Sequence, residues 1–157
     1  MEAINLKKIM VATDGSACSG LVAEKGIELA RLSGGKIYAV YVVSTDYLVP
    51  INGDSFPMSL DPYWESIHEA WEKQGHEAVN SVKSLGEKKG INVEPVLLEG
   101  NPSEELIRYA EEEKMDIIVM GTLGKTGLDK LLLGSVAEKM VRHSKVPVMV
   151  VRDNCKL

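Results

Sequence analysis

Three glycines and a serine in the last quarter of the chain have the spacing of an anion cradle. Gly121 and Gly124 are separated by two residues, Gly134 follows after nine more, and Ser135 comes next. Glycine lets a backbone turn through positive φ and brings N–H groups up to a phosphate with no Cβ in the way. Ser135 stands three residues before Glu138, the spacing of a capping box that opens a helix. A helix start at Ser135 and Val136 adds unpaired amides and the positive end of a dipole, both of which favour an anion. A second segment of interest is Ala12-Thr13-Asp14-Gly15-Ser16, where Asp14 is a carboxylate in a turn sequence and taken alone serves a turn or an N-cap.

Other phosphate motifs fit less well. Gly124-Lys125-Thr126 has the ending of a Walker A loop, but the first glycine that loop requires falls on Val119. Asp14-Gly15-Ser16-Ala17 lacks the three-glycine spacing of a dinucleotide fingerprint. Hydrolysis would need a positioned base or water-orienting group with metal ligands. Near the glycines stand Lys125, Thr126, Asp129 and Lys130, without an acidic pair of metal-ligand type. His68, His76 and His143 show no pairing at helical spacing and read as solvated or helix-end residues. No catalytic residue and no protein metal ligand set is assigned, which leaves binding ahead of catalysis.

Elements of regular spacing must position these groups. Five short runs rich in Val and Ile, Lys8–Thr13, Lys36–Val43, Asn92–Leu98, Asp116–Met120 and Pro147–Val151, lack strict alternation and read as strands buried on both faces. Four helical patterns fill the gaps. The first covers about Ala17 to Ser33 and stops at Gly34-Gly35. The second is capped by Asp61 with Pro62 in its first turn, and carries Trp64, Ile67, Trp71, Gly75, Ala78, Val82 and Leu85 as one apolar stripe. Its tryptophans read as core anchors. The third opens with Asn101-Pro102 and runs to about Lys114, and the fourth covers Val136 to Ser144. Alternating strands and helices imply an α/β fold in one domain over residues 1–157, an open doubly wound parallel sheet with helices on both faces. Ligands of such sheets bind beyond the carboxyl ends of the strands, where the strand order reverses. The 17-residue stretch from Ser44 to Leu60 reads as a loop, pinned by the chain's only phenylalanine, Phe56.

Composition excludes other classes. A net charge of −5 argues against nucleic acid and anionic membranes as partners. The charge is uneven: Gly121–Lys145 holds five basic and two acidic residues, against 13 basic and 21 acidic elsewhere, which suits a small anionic ligand. Apolar runs reach five or six residues, far short of the roughly 20 that a membrane helix needs. No secretory signal fits the first residues. Cys18 and Cys155 match no metal or disulfide-scaffold spacing and read as reduced thiols, so a cytoplasmic protein is expected.

The stretch GTLGKTGLDKLLLGSVAEKMVRHSKVPVMVV, with the opening IMVATDGS, resembles the universal stress protein family, specifically its ATP-binding branch. The likeness covers nearly the whole chain. It implies a Rossmann-like sheet in the order 3-2-1-4-5, which makes the first and fourth strands neighbours. It further implies an adenine nucleotide, ATP or AMP with Mg²⁺, as ligand. Asp14 then corresponds to the acid that binds ribose hydroxyls, with Ala12 as a small floor beneath adenine. Val42 corresponds to the residue whose backbone reads the adenine edge. Gly121 and Gly124 lie along ribose and phosphates, while Gly134, Ser135 and Val136 hold the phosphate tail. The family points to a stress-response switch governed by nucleotide binding, with a slow ATPase or self-phosphorylating phosphotransferase as the alternative. The wholly apolar last strand, at a sheet edge in that order, is expected to pair with its copy in a homodimer.

Overall fold

The computed structural model describes residues 5–45, 62–122 and 133–152. Within them strands and helices alternate: β1 (Lys8–Ala12), α1 (Ser19–Ser33), β2 (Lys36–Ser44), α2 (Pro62–Lys88), β3 (Val93–Gly100), α3 (Pro102–Glu112), β4 (Ile117–Gly121), α4 (Ser135–His143) and β5 (Val148–Val151). The five strands form one parallel sheet in the order β3-β2-β1-β4-β5, as the family resemblance implies.

The near-continuous apolar runs have a simple cause: successive residues of one strand serve opposite cores. Ile9, Val11, Tyr41 and Val43 pack beneath α1 and α2. Met10, Val40, Ile118 and Met120 pack beneath α3 and α4. Strand register at the lower edge is pinned by Asp116, whose Oδ2 accepts the N–H groups of Lys7 and Lys8, both at 2.8 Å. At the upper edge the strands end unevenly. Ala12 pairs with Val40, yet β2 continues to Ser44 alongside β3.

Local chemistry sets the helix boundaries. α1 starts two residues later than its periodicity suggests, because the Ser16 carbonyl accepts both the N–H (3.1 Å) and the hydroxyl (2.7 Å) of Ser19 in a tight turn. Asn101 caps α3 as expected, its Oδ1 accepting the Glu104 N–H at 3.2 Å. The Ser135–Glu138 capping box does not form. Gly134 is the N-cap residue instead, in an extended conformation, and its carbonyl accepts the Glu138 N–H at 2.9 Å. Ser135 is therefore the first helical residue, and Glu138 pairs with Arg142 at 3.1 Å.

α2 lies close on the sheet because Gly75 carries no side chain: a Cβ there would overlap Leu97 and Tyr41. Trp71 packs against the core from this helix, with Trp64 edge-on to it at 6.0 Å between ring centroids. His68, read from sequence as solvated or helix-end, joins α2 to the end of β3, its Nε2 2.9 Å from Glu99 Oε1. Cys18 also departs from expectation: it is disulfide-bonded rather than a reduced thiol, while Cys155 lies outside the described residues. So do Asp61, Phe56 and most of the Ser44–Leu60 stretch. Among the described residues no helix is long and apolar enough to cross a membrane.

Candidate functional site

β1 and β4 are neighbours, so the turns that follow them open on one crevice above the carboxyl ends of the strands. After β1, Thr13 is buried and donates its N–H to the Val40 carbonyl at 3.0 Å. Its Oγ1 accepts the Gly15 N–H at 3.3 Å. Asp14 Oδ1 accepts the Ser16 N–H at 2.9 Å, an Asx turn completed by Gly15 at φ +74°. The turn role foreseen for Asp14 is therefore real. It occupies one carboxylate oxygen and leaves the other available to the crevice.

After β4, the Thr122 N–H donates to the Val151 carbonyl at 3.2 Å, and the Thr122 carbonyl accepts the Gly134 N–H at 2.7 Å. These bonds draw Gly121 and Gly134 together across the intervening segment. They also set the start of α4 at the crevice mouth, where the amides of Ser135 and Val136 belong to the first turn and have no helical acceptor.

The crevice is a cavity of about 400 Å³, in the range of small-ligand pockets. Ala12, Asp14, Val42, Gly121, Gly134, Ser135 and Val136 all line it. The remaining residue of the expected set, Gly124, lies outside the described residues, as do Lys125, Thr126, Asp129 and Lys130.

At Val42, strand geometry sets the direction of the backbone groups. In β2 the even-numbered residues direct N–H and C=O toward β1, as the Lys36 N–H to Lys7 and the Thr13 N–H to Val40 show. Odd-numbered residues face β3, as with the Ile37 N–H to Asn92 and the Thr45 N–H to Gly100. Val42 thus points its donor and acceptor to the side where β1 has already ended. A flat group with a donor next to an acceptor on its edge fits there as a substitute strand.

Periodicity alone did not reveal the contribution of α2, from which Trp71 and Gln74 line the same cavity. Nor did it reveal Tyr41 and Val43, which line it from the opposite face of the sheet to Val40 and Val42. The signal that could have found them is the length of β2 relative to β1. Among the described residues, no group of three or more His, Cys, Asp or Glu side chains could hold a metal ion.

The model of the Universal stress protein family matches residues 5–152. Universal stress protein MJ0531 of Methanocaldococcus jannaschii is 40% identical over 146 residues, covering 93% of this chain and 82% of that one. The solved structure of MJ0577, described as a structure-based assignment of biochemical function, superposes with a TM-score of 0.80 at 26% identity, covering 96% of this chain and 99% of that one. A universal stress protein from Archaeoglobus fulgidus, solved in complex with dAMP, shares the fold at a TM-score of 0.62 and 23% identity, covering 94% and 98% of the two chains. This chain belongs to the universal stress protein family.

Proposed function

We propose that this chain binds an adenine nucleotide, ATP or AMP, in the crevice above β1 and β4, and acts as a nucleotide-dependent switch in the stress response. The observation that carries the reading is the orientation of Val42, whose N–H and C=O face a place that β1 leaves open. Adenine presents an adjacent donor and acceptor on its edge and matches that pair. Asp14, which lines the crevice, would take the ribose hydroxyls, and the first turn of α4 with Gly121 and Gly134 would offer amides to phosphate. Gly124 completes the set in the proposal.

Asp14 is the one carboxylate among the described lining residues. Mg²⁺ would therefore arrive on the triphosphate, held mainly by phosphate oxygens and water. A lining with one carboxylate and no histidine among its described residues suits holding a nucleotide better than hydrolysing it. The slow ATPase or phosphotransferase is the second reading, favoured by the Ser135 hydroxyl at the phosphate end of the cavity.

The proposal includes a homodimer joined along β5 and a cytoplasmic location. Disulfides are rare in reducing compartments, so a cytoplasmic chain is expected to hold both cysteines as thiols in the cell. Alkylation before lysis should then block both, and a count of none blocked contradicts the location. Perchloric acid extraction of freshly purified protein, followed by mass spectrometry, tests the ligand. Adenine nucleotide near one per chain is expected. An extract without nucleotide, from protein that also fails to take up added AMP or ATP, contradicts the reading.

A further inference from the structure

We propose that Trp71 of α2 contacts the nucleobase, its indole packing on the side of the base that looks toward α1 and α2. The inference rests on the nucleotide reading above and extends it to a helix that the expected site residues do not include.

The uneven strand ends carry the argument. β2 outruns β1 by four residues, from Tyr41 to Ser44, so the cavity opens on both faces of the sheet. A planar base bonded edge-on to Val42 lies in the plane of the missing strand. Its two faces then look toward the two helical layers. Val136 lines the cavity on the α3 and α4 side. On the other side Val22 of α1, Trp71 and Gln74 of α2, and Tyr41 and Val43 of β2 line the cavity.

α2 lies close on the sheet beside this wall. Gly75 packs directly on Tyr41 and Leu97. The Asp14 turn touches the same helix: a Cβ at Gly15 would stand 3.4 Å from Ala78 Cβ. Trp71 lies one turn before Gly75 on the same helical face, and Trp64 holds its ring edge-on at an interplanar angle of 85°. Stacking of a base on an aromatic side chain that lines its site changes affinity by about tenfold or more per base.

Trp71 can report on its own contact. In a Trp64→Phe variant it is the only indole, and its emission is followed while AMP or inorganic tripolyphosphate is titrated, with occupancy measured by calorimetry. Emission is expected to change with AMP and to stay constant with tripolyphosphate. In the otherwise unaltered chain, Trp71→Leu is expected to weaken AMP at least tenfold, and Trp71→Phe, which keeps a ring, by about threefold or less. Constant emission at AMP saturation, an equal response to tripolyphosphate, or full AMP affinity in Trp71→Leu overturns the proposal. Absence of AMP binding by the parent chain overturns the nucleotide reading itself, a result distinct from those three.

Discussion

The N–H of Thr13 meets the carbonyl of Val40 at 3.0 Å, and beyond that bond β2 continues without β1. The consequence is a half-finished sheet edge inside the crevice. Val42 repeats the orientation of Val40 two residues further on, where β1 offers no partner. In the proposed complex a nucleotide base would be held here by the same geometry that joins strands.

Val42→Pro tests that edge directly. Proline removes the N–H facing the crevice and leaves the bonds to β3 untouched, because those belong to odd-numbered residues. The variant should keep its fold by circular dichroism and lose about tenfold in AMP affinity, the value of one buried hydrogen bond. Val42→Ala, which keeps the backbone, should bind within about twofold of the parent.

Asp14 has two roles that substitutions separate. Asp14→Asn keeps an oxygen for the Ser16 N–H and so keeps the turn. Its melting temperature should match the parent, while affinity for AMP falls by about tenfold or more with the loss of a charged acceptor. Asp14→Ala should lose both stability and affinity. Equal AMP affinity in all three proteins would leave Asp14 a turn residue alone.

The β5 edge predicts a dimer. Its odd-numbered residues face β4, as the Pro147 and Val151 carbonyls show by accepting the Ile118 and Thr122 N–H groups. Val150 therefore points its N–H outward. Sedimentation equilibrium at micromolar concentration should give the mass of two chains, and Val150→Pro should give one. A parent chain that sediments alone contradicts this.

On α3, Tyr109 gives a stability prediction with a definite sign. Partial burial, then the nearby Glu113 and Glu94 carboxylates and Tyr38, push its phenol up from 10.0 to about 12. The fold favours the neutral form. Its contribution is complete below pH 10 and is lost as pH rises toward 12. Urea midpoints should fall between about pH 9 and about pH 11.5, and Tyr109→Phe should flatten that fall.

The strands and α2 were legible because burial on two faces and a stripe at steps of three and four leave direct marks in sequence. The stripe through Trp64, Trp71, Gly75 and Val82 identified a helix that runs Pro62–Lys88. Strand order came through family likeness, since periodicity does not say which strands are neighbours. The Ser135 cap was misread because Gly134 can adopt the same capping conformation one residue earlier, and the Thr122 carbonyl holds it there. Trp71 was read only as a core anchor. Its place in the cavity depends on the register of β1 against β2, a relation between distant segments that local pattern does not encode.

Isothermal calorimetry of the nucleotide-stripped chain with AMP, and with ATP plus Mg²⁺, tests the whole account most directly. One saturable site per chain, weakened by Val42→Pro and by Asp14→Asn, is the predicted result. No heat of binding, and no upward shift of the melting temperature with either nucleotide, would contradict it.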